Sequence, residues 1–331
     1  MQRYRKWFLW ISVGTLSLYA EPYEPGHGLA LNEHITVGGY FSTEFETGKL
    51  RDRATLDDVA VLAYGDINPM FSYLAELEAV RFYQKNFTDG SEDSERKFHI
   101  ERFYGDMWVN DAFNVRFGKQ ITPIGYWNRE PINVLRDTTS NPLYSKLLFP
   151  KFLTGIDFNG YVPGVQNLNY HFFAQSTHDM DEEYINIPNT HFYGLALEQE
   201  FSWEWNGGGS IGEYITQATG ERTRFVQANL KYEAETCIVT AEAIAARTAY
   251  RIGGDDDTYA GYLQGVYRFN PQHAAVGRYE YYDRRHDDYR DHIGIVGYSY
   301  RPIYPVSLKG EYQWHSQNDE NLFLFSFAVL F

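Results

Sequence analysis

The sequence predicts an all-β protein, a transmembrane antiparallel β-barrel of about sixteen strands whose long third loop folds into the lumen. Three observations predict it: a C-terminal strand that alternates aromatic with smaller residues, repeated alternating segments, and connections that switch between short turns and longer polar loops. A membrane barrel is favoured because lipid accepts an aromatic face and closure leaves no strand edge unpaired.

The C-terminal segment 321–331 reads NLFLFSFAVLF. Phe323, Phe325 and Phe327 occupy alternate positions, and smaller residues such as Ser326 and Ala328 lie between them. A period of two with this aromatic content indicates a strand. An open edge this apolar would promote aggregation of a soluble protein, although a buried C-terminal strand of a soluble sandwich is the alternative.

The N-terminus is typical of an exported protein. A basic start with Arg3, Arg5 and Lys6 precedes the apolar stretch 7–18, which is too short to span a bilayer as a helix. Ala20 is a plausible cleavage residue. We therefore expect a signal peptide at 1–20, a short periplasmic lead at 21–33 and the barrel at 34–331.

The overall charge is acidic. Removing residues 1–20 takes away three positive charges and no negative one, so the formal net charge falls from −15 to −18. This excludes nucleic acid as a partner, since a phosphate backbone requires a basic face. The mean hydropathy of −0.47 suits a barrel, in which only alternate residues contact lipid. Cys237 is the only cysteine, so an internal disulfide is excluded.

Alternating segments recur from residue 34 onward. In 306–315, Leu308 and Trp314 point one way, whereas Lys309 and Glu311 point the other. Apolar-out and charged-in is the pattern of a water-filled barrel. The same alternation is found in 114–120, 193–203, 224–233 and 258–269.

The connections between these segments are of two kinds. Seven are short turns, at 65–69, 110–111, 163–164, 206–208, 235–236, 270–272 and 301–304. Eight are mostly longer and polar, at 47–55, 85–97, 121–150, 177–189, 219–221, 251–257, 285–289 and 316–320. Together they divide the chain into sixteen strands, an even number with short turns at one end, as in bacterial barrels. Some strands are weakly marked, so a count of fourteen or eighteen stays open.

The third long connection, 121–150, differs from the others. It holds four of the chain's twelve prolines and many apolar residues, among them Trp127, Leu147 and Phe149. A long loop with this much apolar surface needs a packing partner, and the barrel lumen is the available place. Residues 133–137 could form one helical turn there.

The stretch RFGKQITPIGYWN, residues 116–128, resembles the GKxxTPxG sequence of porins related to the phosphate-selective group. The wider pattern, over residues 34–331, resembles the sixteen-stranded porins of Gram-negative outer membranes. The sequence shows no lysine-rich run that matches the strongly basic lumen of that group, so phosphate selectivity stays open.

The resemblance implies that charges on the third loop and on the facing wall form a constriction, because rings of charge select ions. The loop candidates are Arg129, Glu130, Arg136, Asp137 and Lys146. The wall candidates are Arg116, Lys231, Arg268, Arg278, Lys309, Glu198, Glu200, Glu280 and Glu311.

The resemblance also implies an outer-membrane porin for passive diffusion of small hydrophilic solutes or ions, with no catalysis, cofactor or metal. Expected partners are outer-membrane lipid and lipopolysaccharide, the barrel-assembly machinery, which would recognise Phe331 as an assembly signal, and further copies in a homotrimer. The solute, the ion preference and any gating stay open.

Two other functions also stay open: a barrel hydrolase, and a structural or adhesive barrel with a blocked lumen. His171, Ser176 and Asp179 are the grouping that a hydrolase would use, but His171 and Ser176 point to opposite faces of one strand. The acidic tip 251–257, RIGGDDD, lacks the ligand spacing of a calcium loop and is better read as a solvated turn.

Overall fold

The computed structural model describes residues 23–94, 97–181, 186–251, 253–286, 288–317 and 321–331. The predicted signal peptide, 1–20, lies outside these residues. No helix in the described part is long and apolar enough to cross a membrane.

The described residues form one large antiparallel sheet. In chain order its strands are β1 (Leu29–Asn32), β2 (Ile35–Gly48), β3 (Asp52–Asn68), β4 (Phe71–Ala79), β5 (Tyr83–Asn86), β6 (Glu92–Asp93), β7 (His99–Asn110), β8 (Phe113–Ile121), β9 (Phe152–Tyr161), β10 (Leu168–Gln175), β11 (Asn189–Glu200), β12 (Trp205–Thr216), β13 (Arg222–Glu233), β14 (Cys237–Ala249), β15 (Asp255–Asn270), β16 (His273–Arg284), β17 (Tyr289–Tyr300), β18 (Val306–His315) and β19 (Leu322–Leu330).

The sheet closes on itself because β2 pairs with β3 along one edge and with β19 along the other. Strand β1 pairs with the start of β2, and β5 and β6 belong to the connection between β4 and β7. Sixteen strands therefore form the closed ring within the described residues, which confirms the predicted barrel.

The two faces of the strands separate as predicted. On β19, Phe323 and Phe325 are 48% and 51% exposed, whereas Leu324 and Ala328 are 5% and 1% exposed. The same split on β18 exposes Leu308 and buries Lys309. One face of the barrel is therefore apolar and turned outward, and the inward face carries most of the polar side chains.

The C-terminus completes the seam of the barrel. Phe331 N–H donates to the Gly39 carbonyl at 2.8 Å, and Gly39 N–H donates to the Phe331 carbonyl at 2.9 Å. A Cβ added at Gly39 would lie 2.5 Å from the Ala60 carbonyl oxygen and 2.7 Å from the Phe331 ring. Glycine is therefore needed where β2, β3 and the C-terminus meet.

Two predicted turns are misplaced. Of the turn predicted at 65–69, residues 65–68 lie within β3, and the chain reverses at residues 69–70. Residues 206–208 lie within β12, and the chain reverses at 201–204, where Ser202 Oγ accepts a hydrogen bond from Trp205 N–H at 3.2 Å. The glycines of β12 suggested a turn, but they serve close strand packing. A Cβ added at Gly208 would lie 2.3 Å from the Leu197 carbonyl oxygen on β11.

The connection between β8 and β9 contains a 3₁₀ turn, Asn133–Leu135, and a short α-helix, α1 (Leu143–Leu147). The turn falls within the segment predicted to be helical, and α1 was not predicted. We call residues 122–151 the third loop.

Candidate channel constriction

The third loop packs its apolar side chains against one side of the inner wall. We call this group the loop–wall cluster. Its loop members are Ile124, Trp127, Tyr144, Leu148 and Phe149. Its wall members come from the consecutive strands β9–β16 and are Leu153, Phe173, Phe192, Tyr214, Phe225, Ile244, Ala246, Ala260, Tyr262 and Tyr282. The apolar residues that required a packing partner therefore find it on inward-facing side chains of eight neighbouring strands.

A buried carboxylate on β14 anchors the loop within this cluster. Glu242 accepts hydrogen bonds from Trp127 N–H at 2.8 Å and from Tyr144 Oη at 2.7 Å, both on the loop. From the wall it accepts hydrogen bonds from Tyr262 Oη at 2.6 Å and from Gln227 Nε2 at 3.1 Å. Four donors around one carboxylate offset much of the free-energy cost of burying its charge.

Two guanidinium groups lie over the indole ring of Trp127. Arg136 from the loop and Arg278 from β16 each place Cζ 5.1 Å from the ring centroid. Trp127 Nε1 also donates to Asn141 Oδ1 at 3.0 Å. These contacts fix Arg136, which is buried, in one position relative to the wall.

Polar contacts tie the loop to several other strands. Glu311 on β18 accepts hydrogen bonds from Thr139 N–H at 2.9 Å and from Ser140 N–H at 3.1 Å. Lys309, on the same face, donates to the Asn133 carbonyl at 2.7 Å. Glu280 on β16 accepts Leu143 N–H at 2.8 Å. Four predicted wall residues contact the loop in this manner, the fourth being Arg278, which donates to Ser140 Oγ at 2.6 Å.

Two of the predicted loop charges are neutralised by the wall. Arg129 makes a two-pronged ion pair with Glu198 on β11. Asp137 accepts from Arg268 on β15 at 2.9 Å and from Arg301, in the turn after β17, at 3.3 Å. Arg301, which sequence reasoning missed, also donates to the Arg136 carbonyl at 2.7 Å.

The other predicted wall residues lie away from the loop contacts. Arg116 pairs with Asp106 on the neighbouring strand at 2.7 Å, and Lys231 pairs with Glu233 at 2.6 Å. Both, together with Glu200, lie toward the short-turn ends of their strands. Of the loop residues, Glu130 is exposed.

A cavity of about 590 Å³ remains between the third loop and the strands on the opposite side. The loop contributes the charged residues Arg136, Lys146 and Lys151 to its lining, and β16 contributes Glu280. Beside the cations Arg51, Arg53 and Arg81, the facing wall contributes a set of carboxylates that sequence reasoning missed: Glu44, Glu46, Asp57, Asp58, Glu78 and Glu101. They belong to four strands, β2, β3, β4 and β7, so no short stretch of sequence reveals them as a group.

Lys146 is the loop charge most open to this cavity. It is exposed and lines the cavity. Desolvation by the surrounding protein lowers the pKa of the Lys146 ammonium group, against the opposing influence of Glu44 and Glu280. The Tyr126 hydroxyl, also on the loop, has its pKa raised to about 12 by burial.

The alternative groupings are placed differently from what a hydrolase or a calcium loop needs. His171 Nδ1 lies 2.8 Å from the carboxylate of Asp157 and not beside Asp179. The Asp179 carboxylate instead lies 3.2 Å from Lys119 Nζ and accepts a hydrogen bond from Thr154 Oγ1 at 2.6 Å. In the acidic tip, Asp257 pairs with Arg247 at 2.7 Å. Within the described ranges, no group of three or more His, Cys, Asp or Glu is arranged to hold a metal ion.

Several solved barrels are similar in structure. An anion-selective porin from Comamonas acidovorans matches with a TM-score of 0.66 at 13% identity, over 90% of this chain and 99% of that one. The chain has the fold of the sixteen-stranded porins.

Two further structures agree with this fold. The trimer form of OmpT, an outer membrane protein of Vibrio cholerae, matches with a TM-score of 0.60 at 11% identity, over 90% of this chain and 99% of that one. The outer membrane channel DcaP of Acinetobacter baumannii matches with a TM-score of 0.62 at 11% identity, over 90% of this chain and 97% of that one. No protein-family model and no curated protein matches the sequence.

Proposed function

We propose that this protein is an outer-membrane porin of a Gram-negative bacterium, an aqueous channel for passive diffusion of small hydrophilic solutes or ions. One observation carries the proposal. The third loop is fixed to inward-facing side chains of many strands, and a charged cavity remains beside it. A loop held in this position narrows a barrel without filling it, which is the arrangement that a diffusion channel requires.

The third loop and the facing carboxylates would then form the constriction. Of the charges predicted from sequence, Arg136, Lys146 and Glu280 border the cavity and are the ones that a passing ion meets. Arg129, Asp137 and Arg268 are paired and serve mainly to hold the loop. Two opposite charges in a close ion pair largely cancel, so such a pair has little electrostatic effect on a passing ion.

The expected partners follow from this location. Lipid and lipopolysaccharide would cover the aromatic outer face, and three copies would assemble, as the trimer form of the similar Vibrio protein suggests. Recognition of Phe331 by the assembly machinery is a prediction that outer-membrane levels of a Phe331→Asp variant would check.

The test is single-channel recording with the purified protein in planar bilayers. We expect stepwise, ohmic conductance and a reversal potential that departs from zero in a salt gradient. Folding is checked separately by the different gel mobility of unboiled and boiled protein. Folded protein that gives no conductance would contradict the channel and favour a blocked barrel, and lipid or peptide cleavage would favour a hydrolase.

A further inference from the structure

Four directly opposed residues form a row across neighbouring strands at the short-turn end of the barrel. Trp108 on β7 faces Asn114 on β8, Asn114 faces Asn159 on β9, and Asn159 faces His171 on β10. We call these residues the rim row. With strands about 4.8 Å apart, the row spans roughly 14 Å.

The rim row borders a cavity of about 380 Å³. Tyr161 and Asn169 extend the lining. They oppose each other two residues closer to the turn between β9 and β10 than Asn159 and His171 do. By strand alternation these residues share the inward face with Phe173, a member of the loop–wall cluster. The cavity size lies within the usual range of small-molecule sites.

The polar members of the rim row keep hydrogen-bonding atoms available. Asn114 Oδ1 accepts Val109 N–H at 3.0 Å, and Asn159 Nδ2 donates to Asp157 at 3.3 Å. In the described part of the chain, Asn114 Nδ2, Asn159 Oδ1 and His171 Nε2 make no hydrogen bond. The cavity therefore offers both donors and acceptors from fixed positions.

Asp157 fixes the orientation of two members of the row. It is 2% exposed, and its Oδ2 contacts His171 Nδ1 at 2.8 Å and Asn159 Nδ2 at 3.3 Å. A carboxylate that holds one ring nitrogen determines which nitrogen is presented to a ligand, here Nε2. The row is thus pre-organised, which lowers the entropy cost of binding.

The aromatic members present open faces. Trp108 is 46% exposed and Tyr161 48% exposed, although both rings belong to the cavity wall. Trp108 Nε1 donates to Ser72 Oγ at 3.0 Å, which anchors the edge of the indole. An anchored aromatic ring offers its electron-rich face to C–H groups.

We propose that the rim row binds a neutral saccharide about two hexose rings long. Sugars combine a C–H face, which suits Trp108 and Tyr161, with hydroxyl groups that both donate and accept, which suits the amides and His171. Asp111 is the only acidic or basic residue other than histidine in the cavity lining, so nothing there neutralises an anionic ligand. The proposal rests on the proposed channel only for the route by which the sugar reaches the site.

The test is isothermal titration of maltose and sucrose into the detergent-purified, full-length protein, which needs no conductance. We expect saturable binding of at least one disaccharide, weakened about tenfold or more by Trp108→Ala, since loss of an aromatic contact of this size corresponds to about one decade in affinity. Trp108→Phe should keep most of the affinity, and Asn159→Leu should lose it.

Trp203→Ala is the matched control, because Trp203 lies in a turn at the same end and is 83% exposed. It should bind as the unchanged protein does. Gel mobility of unboiled protein verifies that each variant is folded. Absence of saturable binding, or equal affinity in folded Trp108→Ala, would overturn the saccharide site even if the channel conducts. Binding without conductance would instead overturn the channel and leave the site.

Discussion

The two sides of the barrel interior are filled in different ways. Along β9–β16 a group of inward-facing apolar and aromatic residues packs against the third loop. Along β2, β3, β4 and β7 the inward residues include acidic side chains that border an open cavity. One side thus resembles the core of a soluble domain, and the other resembles the wall of an aqueous channel.

The difference indicates a division of labour. Burial of apolar surface holds the loop, at about 25 cal/mol per Å² removed from water, so the loop position does not depend on ion pairs alone. In the proposed channel, the charged side is left to face permeating solutes. An off-centre passage follows, bordered by the loop on one side and carboxylates on the other.

The largest expected effect is a difference in stability between matched leucine-to-alanine variants on the two sides of the barrel interior. Leu148 in the loop–wall cluster and Leu324 beside the cavity are 6% and 5% exposed. Leu148→Ala should lower the free energy of unfolding by about 2–5 kcal/mol, because it leaves an enclosed void. Leu324→Ala should cost less, because its void joins the open cavity.

Denaturant unfolding of both variants in detergent measures the difference, and single-channel records add a second readout. We expect Leu148→Ala to make the conductance noisier through a looser loop, and Leu324→Ala to leave the noise unchanged. Equal losses of stability would mean that the two sides are packed alike and would remove the basis of the comparison.

The sequence predicts the strands better than it predicts the site. Alternation alone identifies β18 and β19 and places Lys309 and Glu311 inward, because one face must meet lipid. Glu242, in the stretch AEAIAAR, is not among the residues that the sequence singles out. Its four donors come from distant residues, so only the folded chain reveals it as an anchor.

The division of the charges was equally hidden. Arg129 and Glu198 are 69 positions apart, and the sequence treats Arg129 and Arg136 as equivalent constriction residues. The structure pairs Arg129 and leaves Arg136 at the cavity. The carboxylates of the facing wall lie on four strands, so they come together only once the register of those strands is known.

The second effect concerns ion selectivity. Replacing Arg136 and Lys146 by alanine removes two positive charges from the cavity lining. We expect permeability to shift toward cations about fivefold, since two unit charges, each about 8 Å from an ion in water, together contribute about 1 kcal/mol. The shift should persist at high salt, where distant surface charges are screened.

The matched control removes a loop–wall ion pair from the filled side. Arg129→Ala combined with Glu198→Ala leaves the net charge unchanged and should leave the reversal potential unchanged as well. Reversal potentials in a salt gradient measure both variants. A shift of equal size in the control would show that the passage is not confined to the acidic side.

The smallest expected effect is a pH dependence at Lys146. Because desolvation lowers the pKa of this ammonium group, it loses its charge at a lower pH than a free lysine, whose pKa is about 10.4. As the pH rises from neutral toward that value, the loop loses a positive charge and cation permeability should increase. The Tyr126 hydroxyl, with a pKa of about 12, stays neutral over this range.

Lys146→Arg separates this residue from other titrating groups, because arginine keeps its charge throughout the range. Reversal potentials recorded between pH 7 and pH 10 should drift toward cation preference in the unchanged protein and less in the variant. The drift should stay below the fivefold shift of the double variant, since only one of the two charges is lost. Identical drifts would place Lys146 outside the permeation path and leave Arg136 as the loop charge that solutes meet.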